Sequence, residues 1–308
     1  MLGITIGDPA GIGPEIVLEA LARLQPARRP VFVFGDRFVL EATGRPIPAW
    51  VKLVEPGRFR PADFQPGSPS KATGIAALSY LEKAIDLARA GRIRCLVTAP
   101  VSKSTISRPG RDFSGHTEFL ARAYGISNYG MLFVGGRTRL LLLTTHLPLA
   151  RVSGLINRDL VIQKIRLARG FILDHWGGPE PVIVCCGINP HAGEAGTLGK
   201  EEKEVLEPAL DRLRREGLKI IGPVAADTAW QVYRANRAGL LVSAYHDQIL
   251  PLFKARYFHS GVNVTIGLPL IRTSPDHGTA FNLAHRNLAS SASMQAAIRL
   301  ALKLACRA

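Results

Sequence analysis

Paired cysteines are missing from this sequence. Its 308 residues include four cysteines, Cys95, Cys185, Cys186 and Cys306, and none forms a CxxC spacing. That argues against a disulfide framework or a cysteine-built zinc site, and it fits a reducing cytoplasm. Long apolar runs are missing too: none approaches the ~20 residues of a membrane-spanning helix. The opening "MLGITIGDPAG" has no basic segment followed by a long apolar one, so neither a secretory leader nor a membrane anchor is expected. The stretch "GDPAGIGPE" (Gly7 to Glu15) joins a strand to a helix but is not followed by Gly-Lys-Ser/Thr, so it is not a phosphate loop. Gly11-x-Gly13 also lacks the third glycine of the Rossmann fingerprint. A tight strand-to-helix turn is the expected reading there. Acidic residues are scarce, 24 against 39 Lys and Arg, for a formal charge of +15. The excess invites a nucleic-acid partner, yet the basic residues are dispersed, as in "LDRLRREGLK", and no basic block carries interleaved aromatics. Nucleic acid is therefore not the expected partner. Small anionic substrates would benefit from the same field.

What is present is alternation. Short apolar runs ("LGITIG", "PVFVFG", "IRCLVTAP", "PVIVCCGINP", "KIIGPV", "GLLVSAYHD") take turns with segments of helical period ("PEIVLEALARL", "GIAALSYLEKAIDLARAG", "KEEKEVLEPALDRLRREG"). This pattern predicts an α/β protein with a mostly parallel sheet. "MLFVGG" and "RLLLLTTH", split by a short turn, predict a hairpin. "NRDLVIQKIRLARGFILDHWGG" predicts a helix capped at Asn157 or Asp159. The length suits two domains, and no flexible tether separates them.

Three histidines share a setting. His146, His191 and His246 each stand just past the carboxyl end of an apolar strand, where ligands collect in open α/β sheets. Three neutral imidazoles so placed make a plausible divalent-metal site. His175, His259 and His285 lack that setting and read as surface or helix-end residues. Taken alone, "HDQ" before Pro251 would be an ordinary turn; its strand-end position makes it a site candidate. Lys254, Asn263 and Arg272 are isolated polar groups in charge-poor surroundings, the kind that need an anion or a carboxylate partner. "SPDHGTA" (Ser274 to Ala280) reads as a glycine-bearing turn leading into a helix. "SGHTEFL" opens a helix at His116, where Thr117 and Glu118 have little reason to be buried.

Nine motifs occur in one order: "GDPAGIGPE", "TAPVSK", "GHTEFLA", "TTHLPL", "NPHAGE", "GPVAADT", "YHDQILPLFK", "GVNVTIGLP" and "IRTSPDHGTA". In this the chain resembles the PdxA family, the 4-hydroxythreonine-4-phosphate dehydrogenases of pyridoxal phosphate (vitamin B6) biosynthesis, from residue 4 to about residue 284. The resemblance implies a two-domain α/β/α fold similar to isocitrate and isopropylmalate dehydrogenases, with cofactor binding on non-Rossmann loops. The domains would be 1–115 with 265–308, and 116–264. It implies that His146, His191 and His246 hold one divalent ion per subunit (zinc, cobalt or magnesium). His116, Thr117, Lys254, Asn263 and Arg272 would bind a small phosphorylated hydroxy acid, and Asp276, His277 and Gly278 would meet NAD or NADP. Asp227, Asp247 and Lys103 lie in the motifs as orienting or proton-transfer groups. The implied assembly is a homodimer with its active site at the interface, without nucleic acid or membrane.

The implied reaction oxidises 4-phosphooxy-L-threonine to a β-keto acid, which loses CO2 to give 3-amino-2-oxopropyl phosphate. Relatives of the family oxidise D-threonate or D-erythronate 4-phosphate, and others aromatic dihydrodiols. Two departures bear on the pocket: Ile249 stands where the family commonly has glycine, and Thr197 where a histidine often follows. The rival enzyme reading is a metal-dependent hydrolase or phosphatase built on the same three histidines.

Overall fold

The computed structural model describes residues 1–24, 30–107 and 113–306. Among them are eleven strands: β1 Leu2–Thr5, β2 Val31–Phe34, β3 Val51–Val54, β4 Cys95–Thr98, β5 Gly130–Gly135, β6 Thr138–Leu142, β7 Val182–Cys186, β8 Lys219–Val224, β9 Leu240–Ser243, β10 Val262–Ile266 and β11 Ile271–Pro275. The chain divides into two compact units. The first takes Met1–Ser127, His259–Asn263 and Leu268–Cys306; the second takes Asn128–Phe258 and Val264–Gly267. Strand β10 thus changes unit between Asn263 and Val264.

In the first unit the strands run β3-β2-β1-β4-β11, and every pair is parallel. Both faces of such a sheet are covered, which is why β1, β2 and β4 carry no charged residue, do not alternate and are buried along their whole length. The chain starts at β1, builds β2 and β3 to one side, then returns on the other side with β4. The direction of winding therefore reverses between β1 and β4, and their carboxyl ends border the crevice where such sheets bind ligands. The helix Lys71–Arg89 that leads back to β4 begins with a capping box, Ser70 with Thr73.

In the second unit the order is β5-β6-β9-β7-β8. Strands β5 and β6 form the expected hairpin, antiparallel from Met131↔Leu142 to Gly135↔Thr138. Every other pair is parallel. The core beneath them includes Phe133, Leu140, Val184, Cys186, Leu241 and Phe253. The helix Arg158–Trp176 is capped by Asn157, whose Oδ1 accepts the Leu160 N–H at 2.9 Å. That settles the cap on Asn157 rather than Asp159.

His246 opens a twelve-residue helix, His246–Tyr257, that contains Pro251, which sets aside the ordinary-turn alternative for "HDQ". Two local expectations need correction. "SPDHGTA" does not lead into an α-helix; a short 3-10 turn at Phe281–Leu283 follows, and the helix comes only at Ala292–Ala305. His285 is less exposed than expected: it is half-buried, and both of its ring nitrogens are enclosed and without a hydrogen-bond partner. Cys95, Cys185 and Cys186 are buried, and Cys306 is exposed. Burial pushes the Cys95 thiol up to about 11, Cys185 up to about 12 and Cys186 higher still. Among the described residues no helix is long and apolar enough to cross a membrane.

Candidate active site

The first unit gathers cations around a neutral imidazole. Arg272, on β11, is only 3% exposed, and its Nη2 donates to Thr98 Oγ1 at the end of β4, 2.6 Å away. Burial lowers its guanidinium to about 10, with the Glu118 carboxylate acting in the opposite sense. His116 opens the helix His116–Ala123. Its Nε2 is enclosed with no hydrogen-bond partner. Burial, then Arg272 and Lys103, hold the imidazole well below its ordinary value of 6.5. It is therefore neutral at pH 7, with one polar nitrogen in want of a partner. Glu118 Oε2 and Lys103 Nζ lie 2.7 and 3.7 Å from the point a Cβ on Gly115 would occupy, so the two charges share the entrance to this helix. Contrary to expectation Thr117 is buried, at 4% exposure. Asn263, on β10, has an enclosed and unpartnered Oδ1. The expected substrate set is thus divided: His116, Thr117, Asn263 and Arg272 belong to the first unit, and Lys254 to the second.

The crevice between β1 and β4 holds a carboxylate that sequence reasoning missed. Asp8 is fully buried. Its Oδ1 accepts the Ala10 N–H at 3.1 Å, and its Oδ2 accepts the Thr105 hydroxyl at 3.2 Å. Burial raises its pKa despite these bonds. Gly7 has φ +73°, and a Cβ there would come 2.2 Å from the Pro100 carbonyl oxygen, so only glycine lets "GDPAG" close on "TAPVSK". The turn carrying Asp276, His277 and Gly278 follows β11. Just beyond it the Thr279 carbonyl accepts the Ile12 N–H at 3.0 Å, so this segment packs on the "GDPAGIGPE" turn. Gly278 is exposed and faces open space.

The second unit brings the three histidine-bearing strand ends side by side, since β6, β9 and β7 are parallel neighbours. The rings of His146 and His246 are 5.8 Å apart, tilted by 43°. His246 Nδ1 lies 2.9 Å from Asp247 Oδ1. That contact favours the proton on Nδ1 and leaves Nε2 with a free lone pair, the arrangement of a metal-ligating histidine. His191 is exposed at the start of an irregular turn beyond β7. Among the described residues no three His, Cys, Asp or Glu side chains stand close enough to hold an ion together. Asp227, in the first turn of the helix Ala226–Ala235, is exposed, as is Asp247. Gln248 ties the ends of two of these strands together: its Nε2 donates to the Gly187 carbonyl at 2.6 Å, and its Oε1 accepts the Ala244 N–H at 2.8 Å. Ile249 lies in the core at 2% exposure rather than in a pocket.

The model of the family described as "Pyridoxal phosphate biosynthetic protein PdxA" matches residues 29–301. The chain is 41% identical to a 4-hydroxythreonine-4-phosphate dehydrogenase of Azoarcus sp. (strain BH72), over 99% of this chain and 96% of that one. The chain belongs to the PdxA family. It is accordingly an enzyme, an oxidoreductase of pyridoxal phosphate biosynthesis, and the hydrolase reading falls away. A PdxA-family crystal structure, the 4-hydroxythreonine-4-phosphate dehydrogenase of Klebsiella pneumoniae, superposes with a TM-score of 0.87 at 33% identity, covering 99% of this chain and 98% of that one. The isocitrate dehydrogenase of Methylococcus capsulatus superposes at 0.52 with 16% identity, over 98% of this chain and 84% of that one. At that identity the likeness is one of fold, and it bears out the architecture expected for a PdxA-family chain. Asp8, Glu118 and Gln248 lie within the nine motifs, but sequence reasoning assigned them no role.

Proposed function

We propose that this chain oxidises the C3 hydroxyl of 4-phosphooxy-L-threonine with NAD or NADP, and that the resulting β-keto acid loses CO2 to give 3-amino-2-oxopropyl phosphate. The observation that carries the proposal is the buried Arg272 guanidinium beside a neutral His116 with an unpartnered Nε2. A buried, forked guanidinium next to an unpartnered imidazole nitrogen suits the oxygens of a phosphate or carboxylate. In the reaction the alcohol carbon gives up a hydride and its oxygen a proton; cleavage of the C–CO2 bond then leaves its electron pair on the adjacent carbon, which takes up a proton. Arg272, Lys254 and Asn263 would bind the anionic ends of the substrate. His116 Nε2 would meet a substrate hydroxyl or phosphate oxygen, with Thr117 beside it. Lys103, Asp227 and Asp247 are the candidates to carry the two protons. Asp276, His277 and Gly278 would lie along the nicotinamide dinucleotide.

The donor types of the second unit suit a divalent ion: three imidazoles just past adjacent strand ends, two of them 5.8 Å apart, and one with its other nitrogen engaged by a carboxylate, although the three would have to draw together around it. His146, His191 and His246 would hold it. When bound, such an ion lowers the pKa of a substrate hydroxyl and polarises the carbonyl that replaces it. We also propose a cytoplasmic homodimer with the active site at the interface. Leu147, Leu149 and Leu155, in the segment after His146, are 41%, 68% and 45% exposed, apolar surface that a second copy would cover. Mixing inactive His246→Ala and His116→Ala chains under subunit exchange tests the shared site: partial recovery of activity supports it, and none refutes it. The deciding experiment for the reaction follows nicotinamide absorbance with 4-phosphooxy-L-threonine, D-threonate 4-phosphate and D-erythronate 4-phosphate, each with NAD+ and NADP+. Reduction with the first substrate alone bears the reading out. Reduction with only one of the sugar-acid phosphates moves the activity to that substrate.

A further inference from the structure

The loop that delivers His191 is wound the costly way. His191, Ala192, Glu194 and Ala195 have φ of 51°, 52°, 42° and 55°, with Gly193 at 79° and Gly196 at 99°. For an L-residue the left-handed conformation costs about 1–2 kcal/mol, and four such residues in a row of six persist only where the surroundings hold them there. What holds them is a carboxylate. Glu202 is 2% exposed. Its Oε1 accepts the backbone N–H groups of Ile188 at 2.7 Å and Asn189 at 2.8 Å, and its Oε2 accepts Asn189 Nδ2 at 2.9 Å. A Cβ on Gly193 would come within 2.5 Å of that Oε2, so the turn passes directly over the carboxylate and glycine is required at the crossing. The acid therefore grips the chain on both sides of His191, by hydrogen bonds at 188–189 and by close contact at 193. Gln248 fastens the neighbouring Gly187 to the helix that His246 opens.

We infer that Glu202 is a positioning residue for His191. It fixes the left-handed turn from beneath, and so sets where this imidazole stands relative to those of His146 and His246. The inference rests on the metal reading only in taking His191 for a ligand. Two measurements on the full chain test it: Co2+ titration of metal-stripped protein by visible absorption, and amide hydrogen exchange of the segment 187–196. Glu202→Ala is expected to weaken Co2+ binding about 10–100-fold, the usual effect of losing a group that orients a ligand, and to speed exchange in that segment alone. Glu202→Gln, which keeps one oxygen to accept both backbone N–H groups, is expected to fall between Ala and the unsubstituted chain. Co2+ affinity within twofold of the unsubstituted protein in a folded Glu202→Ala chain overturns the inference. If that variant does not fold, Glu202→Gln decides, and no change in either affinity or exchange overturns it. Absence of Co2+ binding by the unsubstituted protein, or binding that His246→Ala leaves intact, counts against the metal reading instead. Exchange then judges Glu202 alone, and unchanged exchange in the variant sinks the positioning role.

Discussion

The two units build their polar centres in opposite ways. The first encloses its groups: Arg272 and Thr117 are almost wholly buried, and His116 Nε2 has no access to water. The second leaves its groups in the open: His146 and His191 are exposed, and the His246 side chain is 32% exposed. An enclosed charge is maintained against the stability of the fold, since desolvation penalises it whether or not a ligand is present. An exposed imidazole carries no such penalty. The difference predicts that function and stability are opposed in the first unit and separable in the second.

The largest effect tests the second unit. His146→Ala, His191→Ala or His246→Ala should each reduce turnover of the phosphorylated substrate to background and abolish bound divalent metal by elemental analysis. The free energy of unfolding without metal should stay within about 0.5 kcal/mol, as for other exposed positions. A loss of stability to match the loss of activity would erase the contrast. Next comes Arg272→Met, expected to cost about 2–5 kcal/mol in kcat/KM through the lost charge partner. Stability should change less than kcat/KM, because relief of the cation's desolvation offsets the loss of its Thr98 hydrogen bond; denaturant midpoints that fall sharply would show that Arg272 supports the fold instead.

A smaller effect is one of pH. The native state keeps His116 neutral, while the unfolded chain takes up a proton there as pH falls below 6.5. Stability should therefore decline as pH falls through that region, by at most about 1.4 kcal/mol per unit from this one group. Unfolding curves at pH 7, 6 and 5 should show a shallower decline in His116→Gln than in the unsubstituted chain. The smallest effect is the converse of the first. Asn157→Ala removes a helix cap in the second unit and should cost about 1 kcal/mol of stability with kcat/KM unchanged; a fall in kcat/KM would couple that helix to the histidine edge.

Much of this was legible from the chain alone, because the features that make a buried parallel strand are local. Apolar runs ended where His146, His191 and His246 began, and the strands are there. What was not legible depends on tertiary partners. Thr117 looks like any helix-start threonine, and nothing near it in sequence reveals its burial. Glu202 sits in "KEEKEV", which reads as a solvated helix face, yet it turns inward because three N–H groups of a distant loop wait there. Asp8 is hidden in the same way: its hydroxyl partner, Thr105, is 97 residues away. The helix at His246 was missed for the opposite reason. Pro251 is a strong local signal against a helix, and the packing of Ile249, Leu250 and Phe253 into the core outweighs it.

The distribution of the thiols has a practical consequence. Three are walled into the interior and kept protonated by burial, so they offer no thiolate to an electrophile. Cys306 alone lies on the surface, immediately after the helix Ala292–Ala305. A maleimide dye applied to the folded protein should thus attach at one address, near the end of the chain and outside every motif discussed above. The native molecule already carries a single-site handle for fluorescence or surface tethering, with no engineered cysteine required.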